Sequence, residues 1–161
     1  TGTIEGLLTA PVTETQIVFG KFMAAMAFYA VLLAGTLIYL VFMLIFGPPD
    51  VGASLSAYLG LLLLGAMFVA VSLLSSSLTR NQIVAWALSA VPLMVFVWFA
   101  SYIVRIAEGS WRYVLQQVNV MRYLDQFNQG LVTLEAVVFF AGTTALFVFL
   151  TMKVVESRRW L

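Results

Sequence analysis

Long apolar stretches separated by short polar segments dominate the chain from residue 17 onward. A bilayer core about 30 Å thick is crossed by about 20 apolar residues in a helix. The stretches that meet this length cover residues 22–46, 58–78, 83–104 and 136–152. With their helical flanks, we predict transmembrane helices over 14–46, 58–79, 82–104 and 134–154. The pattern therefore predicts an all-α integral membrane protein, a polytopic bundle with four transmembrane helices.

Several residues inside these spans carry more specific predictions. Pro92 has no N–H to donate to the Leu88 carbonyl, so we expect a kink in the third span. The second span has a small-residue side that favours close helix contact, and its serines are expected to hydrogen-bond to carbonyls of their own helix. The small residues are Gly60, Gly65, Ala66 and Ala70.

The connection over residues 106–133 is the longest between spans, and its apolar positions form two stripes. The first stripe holds Trp111, Val114, Leu115, Val118 and Met121, and the second holds Val120, Tyr123, Leu124, Phe127 and Leu131. One helix cannot present both stripes on a single face. We therefore predict two short amphipathic helices with a bend near 119–122, in or on the outer leaflet. A lid over the bundle and a passive interfacial connector both fit this pattern.

The first residues of the chain predict a short helix that ends at a proline. Thr3 is a plausible N-cap, and Glu5 lies in the first turn, where the helix dipole favours a carboxylate. Ile4, Leu7 and Leu8 cluster on one side, and Pro11 stops the helix because the residue before proline avoids helical dihedral angles. A lipid anchor would carry basic residues on its polar face, and this segment has none before Lys21. The pattern over residues 3–10 instead favours a protein-docking helix.

A second helix is predicted to begin directly after this one. Thr13 and Gln16 have the spacing of a capping box, and Val12 with Ile17 has that of a hydrophobic staple. A helix over 14–46 is about 50 Å long, which exceeds the thickness of the bilayer. We therefore expect its first turns to project into the cytoplasm.

Composition excludes several classes of function. The chain has 63% hydrophobic and 9% charged residues, no cysteine, no histidine and a net charge of +1. Disulfides, thiolate nucleophiles and Cys/His zinc sites are excluded, no catalytic set is present, and nothing indicates nucleic-acid binding. Gly20 and Lys21 do not complete a phosphate loop, because Thr15 and Phe22 stand where glycine and Ser or Thr are required. We therefore expect no enzyme activity and no directly bound cofactor, so any ATP dependence would have to come from a partner.

Charged residues flank the apolar cores and none lies inside them. This argues against a proton relay or a charged pore. With four spans, one side of the membrane holds five Lys and Arg residues and the other holds three. The positive-inside rule then places both termini of the segment in the cytoplasm.

Both ends of the chain resemble permeases of the ABC-2 transporter type. The stretch "GTIEGLLTAPVTETQIVFGKF" is similar to their coupling-helix region, and "FNQGLVTLEAVVFFAGTTALFVFLTMKVVESRRW" is similar to their C-terminal end. The gliding-motility and nitrous-oxide-reductase-maturation permeases are the most similar group. Gly6 departs from the family pattern, in which leucine is common at that position.

The resemblance implies a single ABC-2 membrane domain over 1–161, N-terminally truncated, with the third to sixth helices of a six-helix permease. It implies ATP-driven export of a hydrophobic or amphiphilic substrate from a prokaryotic inner membrane. The expected partners are a separate ABC ATPase subunit, a second permease subunit and the lipid bilayer. The coupling helix would dock on the ATPase through Thr3, Ile4, Glu5, Leu7, Leu8, Thr9 and Pro11. The pair of helices over 106–133 would be re-entrant at the outer face, with Trp111, Tyr123, Phe127 and Gly130 as gate candidates. A membrane scaffold or assembly factor that does not transport is the alternative function.

Overall fold

Helices make up every regular element in the part of the chain that the structure describes. The computed structural model describes residues 13–79, 81–106 and 109–157. In chain order the elements are α1 (Glu14–Phe46), α2 (Val51–Leu78), α3 (Gln82–Met94), a π-helical segment (Val95–Phe99), α4 (Ala100–Ile106), α5 (Ser110–Gln117), α6 (Val120–Asn128) and α7 (Leu134–Ser157). The predicted all-helical class is confirmed.

Within the described ranges, α1, α2 and α7 are long and apolar enough to cross a membrane, and α3 is a shorter apolar helix. The run of α3, the π-helical segment and α4 is helical from 82 to 106, about 37 Å at 1.5 Å per residue. That length is also sufficient for a bilayer core. Large apolar side chains are exposed along these helices, as expected for surfaces that face lipid.

The start of α1 has the predicted capping box. The Gln16 backbone N–H donates to Thr13 Oγ1 at 3.4 Å, and the Thr13 N–H donates to Gln16 Oε1 at 3.1 Å. Two N–H groups at the helix end are thereby satisfied, which fixes the first residue of α1 at Glu14. Val12 and residues 3–10 lie outside the described residues.

The helix that holds the second span begins earlier than its apolar core suggests. The prediction started the span at residue 58, whereas α2 starts at Val51. Asp50 caps this end, because its Oδ1 accepts from the Ala53 N–H at 3.1 Å. The first two turns are small and moderately polar, so apolarity alone did not reveal them.

Helix α2 occupies the centre of the bundle and packs against α1, α3, α6 and α7, most extensively against α7. Its small residues are buried, which confirms the predicted close packing. They face more than one neighbour: Gly60 lies under Phe127 of α6, and Gly65 lies under the ring of Tyr29 of α1. The Tyr29 hydroxyl also donates to the Leu61 carbonyl at 2.8 Å, which fixes α1 against α2.

The third span changes helix type after its proline. Pro92 lies inside α3, which continues to Met94, and the π-helical segment follows at Val95. A π turn accommodates one extra residue, so it rotates the side chains that follow relative to those before it. The prediction of a kink at Pro92 did not include this change of helix type.

The 106–133 connection folds into two short helices, as its two stripes predicted. Gly109 has a φ of 68°, in the left-handed region that glycine adopts without strain, and α5 starts directly after it. Asn119 separates the helices, and its Oδ1 accepts from the Met121 N–H at 3.1 Å. This cap places the bend inside the predicted interval.

Candidate functional site at the α5–α6 end of the bundle

Helix α6 presents one apolar face to the bundle. Val120, Tyr123 and Phe127 lie three and four residues apart and are fully or almost fully buried. They form the hydrophobic core of this end with Met67 of α2 and with Ala136 and Phe140 of α7. Leu131 belonged to the predicted stripe but is exposed, because α6 ends at Asn128 and the chain turns at Gly130. The buried face makes α6 part of the packed bundle.

Aromatic rings join α6 to α7. The ring of Tyr123 stacks on Phe139 with centroids 4.6 Å apart and meets the edge of Phe140 at 6.4 Å. The Phe127 ring lies 6.3 Å from that of Phe140. Offset and edge-to-face pairs contribute about 0.5–1.5 kcal/mol each beyond their buried area. The start of α7 and α6 are therefore expected to move together.

The hydroxyl of Tyr123 lies where α5, α6 and α7 meet. It is within hydrogen-bonding distance of three acceptors: the Gln117 carbonyl at 3.0 Å, Glu135 Oε1 at 3.1 Å and Gln117 Oε1 at 3.2 Å. Burial, followed by the hydrogen bond to Glu135 and the charge of that carboxylate, raises the pKa of the Tyr123 phenol, and Arg122 acts weakly in the opposite direction. The phenol therefore stays neutral and remains a donor at physiological pH.

Arg122 adds a second, weaker link between the same elements. Its guanidinium lies 3.8 Å from Glu135 Oε1 and 5.5 Å from the centroid of the Tyr123 ring. Both side chains of the ion pair are partly exposed, so the pair stabilises the fold by no more than about 1 kcal/mol. Together with the Tyr123 hydroxyl, it ties α6 to the first turn of α7.

The structure brings some of the predicted gate residues together and separates another. Tyr123 and Phe127 belong to the buried core, and Gly130, with a φ of 79°, turns the chain beside Ala53 of α2. Trp111 is 74% exposed and takes no part in that core. Its spacing on α5 did not reveal this, because an exposed apolar side chain and a buried one have the same sequence pattern in a membrane protein.

Sequence reasoning did not assign functional roles to Glu135, Gln117 or Arg105. Glu135 is the first acidic residue before the last apolar span, and its isolation there was the available signal. Gln117 and Arg105 gave no signal of their own, because their relevance depends on how the short helices fold back. The residues predicted to dock an ATPase, from Thr3 to Pro11, lie outside the described residues.

Among the described residues, two clefts lie beside α6 and a third lies just beyond its C-terminal end. One of about 430 Å³ holds Arg105, Arg122 and Asp125 among its lining residues, and an adjoining one of about 300 Å³ is mainly apolar and contains Trp98 and Tyr102. The third, of about 480 Å³, lies between the start of α2 and Gly130. It is lined in part by Ser56, which is 6% exposed and whose Oγ has no hydrogen-bond partner among the described residues. In the described ranges, no group of three His, Cys, Asp or Glu side chains has the arrangement of a metal site.

Comparison with known families decides what kind of protein carries this site. The model of a family described as ABC-2 family transporter protein matches residues 1–156. The chain belongs to the ABC-2 transporter family. It is thus a permease component of an ABC transporter and a multi-pass membrane protein, and its family implies an ABC ATPase as partner. Searches among curated proteins and among solved structures found no match.

Membership in this family bears on catalysis and on the order of the last helices. Members of the family are transmembrane components and are not themselves catalytic. The two short helices α5 and α6 precede the last span, α7, as the resemblance implied.

Proposed function

We propose that this permease forms the membrane path of an ATP-driven exporter for a hydrophobic or amphiphilic substrate. A separate ATPase subunit would hydrolyse ATP, with magnesium bound there, and a second permease subunit would complete the path. The segment would lie in a prokaryotic inner membrane with both termini cytoplasmic, as the distribution of Lys and Arg favours.

The proposal rests on the absence of charged side chains from the apolar cores of the spans. These cores contain no Asp, Glu, Lys or Arg. Within the spans, several hydroxyls donate to carbonyls of their own helix, as Ser75 of α2 does to Val71 at 3.0 Å and Thr151 of α7 does to Phe147 at 2.8 Å. Such walls offer little to replace the hydration of an ion, but they suit an aliphatic or aromatic body.

Helix α1 supports the proposed coupling to the ATPase. Its 33 residues span about 50 Å, more than the bilayer core of about 30 Å. Its capped start at Thr13 follows directly on the predicted coupling helix over 3–10. A movement of that helix on the ATPase would therefore be passed to α1 as a rigid element.

A reconstituted complex provides the test. The full-length permease is co-expressed with its ATPase subunit, purified and inserted into liposomes. We expect ATPase activity to rise with added amphiphiles and to be unaffected by hydrophilic ions of similar charge. An ATPase rate that responds to neither the permease nor amphiphiles would favour the non-transporting scaffold.

Docking is tested separately by two substitutions in the predicted coupling helix. Glu5→Arg reverses the charge near the helix start, and Leu8→Asp places a charge on its apolar side. Both are expected to abolish co-purification of the ATPase, whereas Lys21→Gln, beyond the coupling helix, should retain it. Normal association in both variants would contradict the docking assignment.

A further inference from the structure

Two of the clefts beside α6 are parts of one amphipathic groove. The cleft of about 430 Å³ and the cleft of about 300 Å³ share Arg105 and Met121 in their walls. One end of this groove is apolar and the other is polar and charged. We name it the α4–α6 groove.

The apolar end is built from the π-helical segment and from α4. Val97 and Trp98 come from the π-helical segment, and Tyr102 from α4. Trp98, Tyr102 and Arg105 follow one another at spacings of four and three residues, and all three are exposed. π turns occur frequently at functional sites because they change the direction of side chains. Here the π-helical segment contributes Trp98 to the aromatic wall of the groove and directly precedes the helix that contributes Tyr102.

Two of the three charged side chains that line the polar end are cationic. Arg105 and Arg122 line it with Asp125 and with the amides Asn119, Gln126 and Gln129. Arg105 forms no ion pair within the described ranges. Arg122 makes a long contact of 3.8 Å with Glu135, hydrogen bonds of 3.4 Å to the carbonyl of Gln116 and to Gln117, and a contact with the Tyr123 ring. Two guanidinium groups at the polar end of the α4–α6 groove, next to its apolar end, are complementary to a small anion joined to an apolar body.

We propose that the α4–α6 groove binds one anionic lipid, with its acyl chain against Trp98 and its phosphate headgroup at Arg105. Arg105 closes the third apolar span, so the headgroup would lie at the membrane interface while the chain lies along the span. Charge complementarity selects the anionic headgroup, and the apolar wall selects an acyl lipid over a soluble phosphate. Lipid binding here requires neither an ATPase nor transport, so it is independent of the proposed export function.

Quenching of tryptophan fluorescence by brominated lipids tests this site. The full-length permease in neutral detergent is titrated with phosphatidylglycerol or phosphatidylcholine that carries bromine on an acyl chain. We expect phosphatidylglycerol to quench at a lower lipid fraction, and we expect this difference to disappear in Trp98→Phe. Arg105→Gln should weaken phosphatidylglycerol binding about tenfold, the factor that corresponds to about 1.4 kcal/mol.

Arg112→Gln is the matched control, because Arg112 lies on α5 at the same end of the bundle, is exposed and lines neither cleft. It should bind phosphatidylglycerol as the unmodified permease does. Both Arg variants are expected to elute as the unmodified permease does, since neither residue forms an ion pair in the described part of the chain. Equal quenching by the two lipids would show an ordinary aromatic belt and overturn the proposal. Competition by glycerol phosphate alone would identify a soluble-anion site and overturn the lipid assignment.

Discussion

Replacing Gly60 by alanine tests the contact between α2 and α6. A Cβ on Gly60 would lie 2.8 Å from both Cβ and Cγ of Phe127 and 2.9 Å from its Cδ2. Carbon atoms in good contact are about 3.5–4.0 Å apart, so α6 would have to move by about 1 Å. The ring cannot simply rotate away, because the Phe127 Cβ is fixed to the backbone of α6.

Two opposing contributions set the change in the free energy of unfolding caused by Gly60→Ala. Overpacking of a close contact costs about 1–3 kcal/mol, whereas Gly→Ala in a helix stabilises by about 0.8–1.0 kcal/mol. Gly35 and Gly142 have no atom within 4 Å of the added Cβ. Alanine at these two positions should therefore gain the helix propensity alone. The difference between Gly60→Ala and either control isolates the contact, and we expect it to be about 1–3 kcal/mol.

The assay is unfolding of the full-length permease by SDS in mixed micelles, followed by circular dichroism. We expect Gly60→Ala to unfold at a lower SDS fraction than Gly35→Ala and Gly142→Ala. Phe127→Ala removes two of the three close atoms. In that background Gly60→Ala should lower the free energy of unfolding by less, and the coupling free energy between the two substitutions should be about 0.5–3 kcal/mol. If Gly60→Ala is as stabilising as the two controls, α6 does not rest on Gly60.

Four further predictions concern single hydroxyl groups, and the three on stability use the same unfolding assay. Tyr29→Phe removes the hydrogen bond to the Leu61 carbonyl and should cost about 0.6 kcal/mol, the average for bonds between membrane helices; no loss would mean that the bond is not formed. Tyr123→Phe should cost about 1 kcal/mol, because Glu135 and Gln117 lose a buried donor. Since the pKa of Tyr123 is raised above its usual 10, its contribution is complete below pH 10 and is lost as pH rises through the folded-state pKa. Absorbance at 295 nm, as the difference between the unmodified permease and Tyr123→Phe, should show this late titration, and a midpoint at or below pH 10 would contradict it. Ser56→Ala should stabilise by about 1 kcal/mol, because it removes a buried hydroxyl that has no hydrogen-bond partner among the described residues. Ser75→Ala should not stabilise, because Ser75 donates to Val71, and equal effects of the two substitutions would contradict this expectation.

The sequence alone determined the elements that depend on local chemistry. Thr13 and Gln16 specify the start of α1 because a capping box involves only residues three apart. The two stripes in the 106–133 connection specified a pair of short helices, since a single helix has one apolar face. The long apolar stretches specified the membrane class, because a span of about 20 apolar residues has few other stable environments.

Tertiary structure alone decided which of these faces meet. The sequence indicated a small-residue side on α2, but only packing placed Phe127 on Gly60 and Tyr29 on Gly65. It also paired the Tyr123 hydroxyl with Glu135, left Trp111 exposed and set the π turn after Met94. The physical reason is that lipid solvates apolar side chains as well as a protein core does, so hydrophobicity does not distinguish a lipid-facing position from a buried one in a membrane helix. In this permease that distinction comes from shape and from a few hydrogen bonds between helices, which depend on how the chain folds back.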